Sequence, residues 1–212
     1  MNETTSQFIN GILVVTTKTP TSIKTIRYID GARGLILDIL EEFEYRKVFT
    51  QYKTNGLQPK TIEVTTKNKV ILYQGDGKTP ISIKEINEDS SIKTTSFRSD
   101  GKTIEKIKSE SPQGNVQTIY YHSNGQTQLK SVEIDAEGMT KTIFYDPSGQ
   151  LIQSIQEDMA DGSVLKTFFR PDMSIEKTWE SHIKGLLKNQ IRETLFDKTG
   201  KKKISTKDFS NL

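Results

Sequence analysis

The sequence predicts an all-β fold: an antiparallel meander of about eight β-hairpin repeats of ~24 residues, forming an elongated, twisted single-layer sheet. Three observations predict it. The first is a recurrence. Residues 118–155 read TIYYHSNGQTQLKSVEIDAEGMTKTIFYDPSGQLIQSI, in which Tyr121 and Gly125 return 24 residues later as Tyr145 and Gly149. The second is an aromatic ahead of each turn, at Tyr28, Tyr52, Tyr73, Phe97, Tyr121, Tyr145, Phe169 and Phe196, in steps of 21 to 27 residues. The third is composition. Hydrophobic residues make up 33 % and the mean hydropathy is -0.58, too little for a thick two-layer core, while the aromatic and β-branched content argues against disorder.

The elements follow in order within a single domain, residues 1–212. Residues 1–19 read as an N-terminal cap hairpin, residues 20–200 as the repeats and residues 201–212 as a C-terminal edge segment. Turns fall at Asp30-Gly31, Asn55-Gly56, Asp76-Gly77, Asp100-Gly101, Asn124-Gly125 and Ser148-Gly149, then at Asp172-Met173 and Thr199-Gly200. Asn-Gly and Asp-Gly accept positive φ, so each is read as a two-residue hairpin turn. A second series, Gly114, Gly138 and Gly162, joins one hairpin to the next. Two strands of about nine or ten residues fill the period, giving about sixteen strands. The stretch LILDILEEFEYRKVF, Leu35 to Phe49, has a helical spacing at Leu35, Ile39, Leu40 and Phe43. The repeat frame instead makes Leu35 to Leu40 a return strand, with Glu41-Glu42 near the linking turn and Phe43 to Tyr52 the next outgoing strand. The alternative arrangement is a four-bladed propeller with two units per blade.

The aromatic series is expected to form a ladder on one face, each unit leaning on its neighbour. Successive strand residues point to opposite faces. The residues just before the ladder, Arg27, Gln51, Leu72, Ser96, Tyr120, Phe144, Phe168 and Leu195, therefore make a second column that is aromatic only at three consecutive units. If the fold alone demanded aromatics there, every unit would carry one. Tyr120, Phe144 and Phe168, with the sole tryptophan Trp179, are the expected binding residues. The competing expectation is that the sheet curls and covers this stretch with its own C-terminal segment, Trp179 or Leu186-Leu187.

The units TIYYHSNGQTQLKSV and TIFYDPSGQLIQSI resemble the aromatic-x-x-x-Gly hairpins of MORN-type repeats and the Tyr-Asp repeats of Rhs and teneurin shells. Tyr145-Asp146 with Gly149 and Leu151 carries the likeness best, and Phe196-Asp197 shares the Asp, whereas Ile29, Lys53, Gln74, Arg98, His122 and Arg170 stand at that position elsewhere. The resemblance spans residues 20 to 200. It implies a scaffold, shell, adaptor or antitoxin-like binding protein, and it brings no catalytic residues.

Chemistry-bearing patterns are few. The two histidines, His122 beside a turn and His182 near a linking segment, lack a nucleophile and an orienting acid at useful spacing, so both read as solvated polar residues. No clustered ligand spacing points to a metal, and no cofactor motif occurs. GDGKTP, Gly75 to Pro80, lacks the spacing of a phosphate loop and reads as a hairpin turn. The lysines of KTGKKKISTK, Lys198 to Lys207, read as protection of a sheet edge, the alternative being phosphate contact. With 30 basic and 27 acidic residues, the formal charge of +3 gives no strong field for nucleic acid or membrane. Zero cysteines exclude disulfides and a thiolate nucleophile. No apolar run is long enough to span a bilayer as a helix, and the start lacks a secretion signal, so a cytoplasmic or non-classically exported protein is expected.

These readings converge on a non-enzymatic protein-binding or structural scaffold, with edge-mediated self-association as a further contact. The alternative is a carbohydrate-binding module whose exposed aromatics stack on sugars.

Overall fold

The computed structural model describes residues 2–29, 34–159, 162–182 and 190–210. The expected Asp30-Gly31 turn, Leu186-Leu187 and the side chain of His182 lie outside the described residues. The chain is all-β: antiparallel strands follow one another in meander order, with no helix among the described residues. It divides into two compact units, Met1–Glu88 with Ile92–Thr103, and Asp89–Ser91 with Ile104–Leu212.

Unit 1 holds β1 (Glu3–Ile9), β2 (Ile12–Lys18), β3 (Ser22–Tyr28), β4 (Ile36–Phe43), β5 (Lys47–Tyr52), β6 (Pro59–Thr65), β7 (Lys69–Gln74), β8 (Pro80–Ile86) and β9 (Ile92–Phe97). Unit 2 holds β10 (Ile104–Glu110), β11 (Val116–Tyr121), β12 (Gln128–Ile134), β13 (Thr140–Tyr145), β14 (Ile152–Asp158), β15 (Val164–Phe169), β16 (Ile175–His182), β17 (Gln190–Phe196) and β18 (Lys203–Ser210). In unit 1 each strand pairs with the next without a break from β1 to β9, so the four-stranded blades of a propeller are absent. The stretch with helical spacing is two strands, β4 and β5. The linking turn falls at residues 44–46, two to three residues later than expected, because Glu41 and Glu42 stay in β4, opposite Val48 and Lys47.

The strands are shorter than the nine or ten residues expected, at six to eight, because the turns take more of the period. Asn124-Gly125 is not a two-residue turn. The His122 amide donates to Thr127 O at 2.8 Å and the Gly125 amide to His122 O at 2.9 Å, leaving a four-residue loop, 123–126. In that loop Gly125 has φ +70° and Asn124 is not left-handed. This is a loop built around a type I turn, in which one left-handed residue suffices. The linking turns are shorter: the Asp135 amide donates to Met139 O at 3.1 Å and the Gly138 amide to Asp135 O at 3.1 Å. A two-residue turn with both φ positive occurs at Asn10 (φ 49°) and Gly11 (φ 81°), between Ile9 and Ile12. Met173 holds φ 64° at a position where glycine serves elsewhere, a conformation that costs a side-chain-bearing residue roughly 1–2 kcal/mol.

The turn carboxylates close their loops. Asp76 Oδ1 accepts from the amides of Lys78 and Thr79, both at 2.9 Å, and Asp76 Oδ2 from Thr79 Oγ1 at 2.5 Å. Asp100 repeats the pattern with Lys102 and Thr103. Hydrogen bonds from Thr79 and Thr103 lower these carboxyls from the ordinary 3.8 to about 2. A folded pKa below the unfolded one stabilises the fold above about pH 3.8 and loses that contribution as pH falls toward about 2. The urea midpoint should therefore decline over that window. Asp76→Asn/Asp100→Asn should flatten the decline, since Asn124 accepts from the Gln126 and Thr127 amides in the same way. An unchanged acid profile in the double variant would remove the turns as its source.

Behind seven of the hairpin loops the return strand carries one extra residue. Tyr120 pairs with Lys130 but Tyr121 with Gln128, leaving Leu129 unpaired, and Gln153 is left out in the same way between Phe144–Ser154 and Tyr145–Ile152. These are β-bulges, which increase local twist. The loop glycines also let neighbouring hairpins approach. A Cβ on Gly149, whose φ is +74°, would lie 2.7 Å from Thr127 Cγ2 and 2.8 Å from the Gln128 nitrogen, both in the preceding hairpin.

No apolar side chain is buried among the described residues. The most enclosed are Asp38, Ser131, Ser154 and Thr194. Ser131 sits in register between Ile119 and Ile143, and Ser154 between Phe144 and Phe168, so the large side chains of adjacent strands close over a small one. The ladder aromatics are half-buried in both units. Truncating one therefore costs less than the roughly 3–5 kcal/mol expected of a fully buried ring.

Candidate binding face

The second column is placed by register. Across unit 2 one row runs Lys106, Tyr120, Lys130, Phe144, Ser154, Phe168, Lys177, Leu195 and Ser205. The next row on that face runs through Gln156, Lys166, Trp179, Glu193 and Lys207. Side chains of like parity share a face and adjacent strands lie about 4.8 Å apart, so the two rows form one patch.

Within it the rings and lysines alternate. Lys130 Nζ lies 4.9 Å from the Tyr120 ring centroid. Lys166 Nζ sits 4.9 Å from Phe144 and 5.2 Å from Phe168, bridging them. Lys177 Nζ is 5.1 Å from Phe168 and 4.6 Å from Trp179. Phe168 and Trp179 meet edge to face, centroids 4.9 Å apart at 68°. The structure thus brings Phe144, Phe168 and Trp179 into one connected cluster, and register sets Lys130 between Tyr120 and Phe144. Trp179 joins the cluster from the next row, on the adjacent strand. It is 39 % exposed.

One carboxylate joins the cluster. Glu193 Oε1 accepts from Trp179 Nε1 at 2.8 Å and from Lys177 Nζ at 3.3 Å. The Trp179 hydrogen bond is the largest of the effects that hold Glu193 below the usual carboxylate range, aided by Lys177. Two hollows open on the patch. One, of about 340 Å³, is lined in part by Phe144, Ser154, Lys166 and Phe168; the other, of about 230 Å³, by Trp179, Ile191, Glu193 and Phe209.

Sequence reasoning found the rings and missed Lys130, Lys166, Lys177 and Glu193. Lys130 and Lys177 stand on return strands, whose register depends on the bulge. Aligning those strands by their turns would have set Lys130 and Ser154 in one row, whereas Lys177 stands one residue nearer its turn because the loop between β15 and β16 is a residue shorter. His122 also differs from expectation. It is half-buried, its Nε2 is enclosed and has no hydrogen-bond partner, because the hairpin loops pack on one another. Among the described residues no group of three or more His, Asp or Glu is placed to hold a metal ion, and no helix is long and apolar enough to cross a membrane. Lys201 and Lys202 occupy the last turn, and Lys203 opens β18, which pairs with β17 and ties Asp208 to Arg192 at 2.9 Å.

Fold and patch together define a repeat-like all-β meander with a lysine-and-aromatic face. Residues 73–114 match a family described as "Protein of unknown function (DUF2963)". No curated protein matches the chain. Among solved structures, a porin-like protein from Bacteroides uniformis ATCC 8492 aligns over 98 % of this chain and 91 % of its own, at 10 % identity and a TM-score of 0.19.

Proposed function

We propose that the protein is a non-catalytic repeat scaffold that binds a protein partner through the aromatic face of unit 2. The observation that carries this reading is the concentration of Tyr120, Phe144, Phe168 and Trp179, bridged by lysines, on one face of three neighbouring hairpins. Aromatic residues are enriched in the cores of protein interfaces, and a contiguous apolar stripe on a protein surface marks a partner site. The resemblance of the hairpin units to MORN-type and Tyr-Asp repeats supports a scaffold in the same sense. Sugar stacking is less well served, because lysine ammoniums already lie over all four rings.

The test is Tyr120→Ser/Phe144→Ser. Both rings are half-buried, so the double variant should lose no more than about 2 kcal/mol of unfolding free energy while losing retention of the proteins that the wild type captures from its native cell. Undiminished capture by the folded double variant would sink the reading. A stability loss of several kcal/mol would make the stripe part of the fold's own packing.

A further inference from the structure

Ion pairs lace this sheet, among them Lys108–Glu110 at 3.1 Å, Lys177–Glu193 at 3.3 Å and Arg192–Asp208 at 2.9 Å in unit 2. Lys130 and Lys166 differ. Among the described residues neither pairs with a carboxylate, and each ammonium lies instead over aromatic rings while the side chain is half-buried. A ring quadrupole attracts an ammonium but does not cancel its charge. The rings hold both lysines in place, so much of the side-chain entropy that binding would cost is already lost.

We infer that this face binds an acidic polypeptide segment, its carboxylates meeting Lys130 and Lys166 and its apolar side chains entering the hollows beside Phe168 and Trp179. The inference rests on the reading of the face as a protein-binding surface and adds the chemistry of the partner. Two cations outside any ion pair stand among the rings, and the hollows beside them, one lined by Phe144, Phe168 and Glu176 and the other by Trp179, Ile191, Glu193 and Phe209, are apolar enough to take the hydrophobic side chains of a segment whose carboxylates meet those cations. A single-stranded nucleic acid fits less well. Its bases need free ring faces, which the lysines occupy.

Trp179 is the only tryptophan, so its fluorescence reports on the patch without a label. The full chain is titrated with a short synthetic peptide alternating Glu and Leu, with its Gln-for-Glu and Lys-for-Glu counterparts, and with a short oligothymidylate. The Glu-Leu peptide should change Trp179 emission saturably, bind more tightly than the other three, and weaken as salt is raised. Lys130→Met/Lys166→Met keeps much of the packing against the rings and removes the charge. It should weaken the Glu-Leu peptide about tenfold with an unchanged urea midpoint. Equal binding of the Gln-Leu or Lys-Leu peptide, or no effect of the methionine variant, overturns the acidic partner. If that peptide binding is nonetheless lost in Tyr120→Ser/Phe144→Ser, the protein-binding reading survives. Oligothymidylate bound in preference to every peptide overturns both, and binding of none of the four overturns the inference.

Discussion

Replacing Gly149 with alanine should destabilise the protein by about 3 kcal/mol. Two costs add: a left-handed backbone under a side chain, roughly 1–2 kcal/mol, and a methyl forced into contact, roughly 1–3 kcal/mol. The methyl would meet Thr127 Cγ2 at 2.7 Å and the Gln128 backbone nitrogen at 2.8 Å, and a backbone atom cannot rotate aside. Gly138 separates the two costs. Its φ is +86° and a Cβ there would meet nothing within 4 Å, so Gly138→Ala should lose about 1–2 kcal/mol alone. Urea unfolding of both variants decides the matter. Equal losses would mean that the hairpin loops yield to one another, and that glycine serves only the turn.

Arg27→Ala should cost about as much by a different route, roughly 3 kcal/mol, because it strips the partner from an enclosed carboxylate. Arg27 Nε donates to Asp38 Oδ1 at 2.7 Å and Nη2 to Oδ2 at 2.5 Å, while the Asp38 side chain is only 7 % exposed. The pair stands in register on β3 and β4. Removing both members should cost less than removing Arg27 alone, since no charge is then left without its partner. A double variant, Arg27→Ala/Asp38→Ala, that is less stable than Arg27→Ala would show that Asp38 stabilises the sheet without the arginine.

The period and the strand character of β4 and β5 were legible because they rest on local signals: turn residues, aromatics and alternation. Tyr120, Phe144 and Phe168 stood out as departures from the period, and Trp179 as the sole tryptophan. Asn124-Gly125 misled because the pair fits a two-residue turn and a longer loop equally well, and Thr127, which closes the loop, carries no distinctive signal. The bulges at Leu129 and Gln153 were invisible, since an unpaired residue is a property of two strands together. Lys130, Lys166 and Glu193 were missed on that account. What a lysine lies over is fixed by cross-strand register, and register was shifted by residues that the pattern does not reveal.

The burial of Ser131, Ser154 and Thr194 in place of hydrocarbon bears on the heat capacity of the protein. Newly hydrated apolar surface raises the heat capacity of unfolding and newly hydrated polar surface lowers it. Where neighbours enclose small hydroxyl side chains and apolar groups stay half-wet in the native state, both effects act in one direction. Each residue then adds less than the roughly 12–15 cal/mol/K of ordinary globular domains. The Gibbs energy of such a chain bends gently with temperature, and the warm and cold limits of its stability lie far apart.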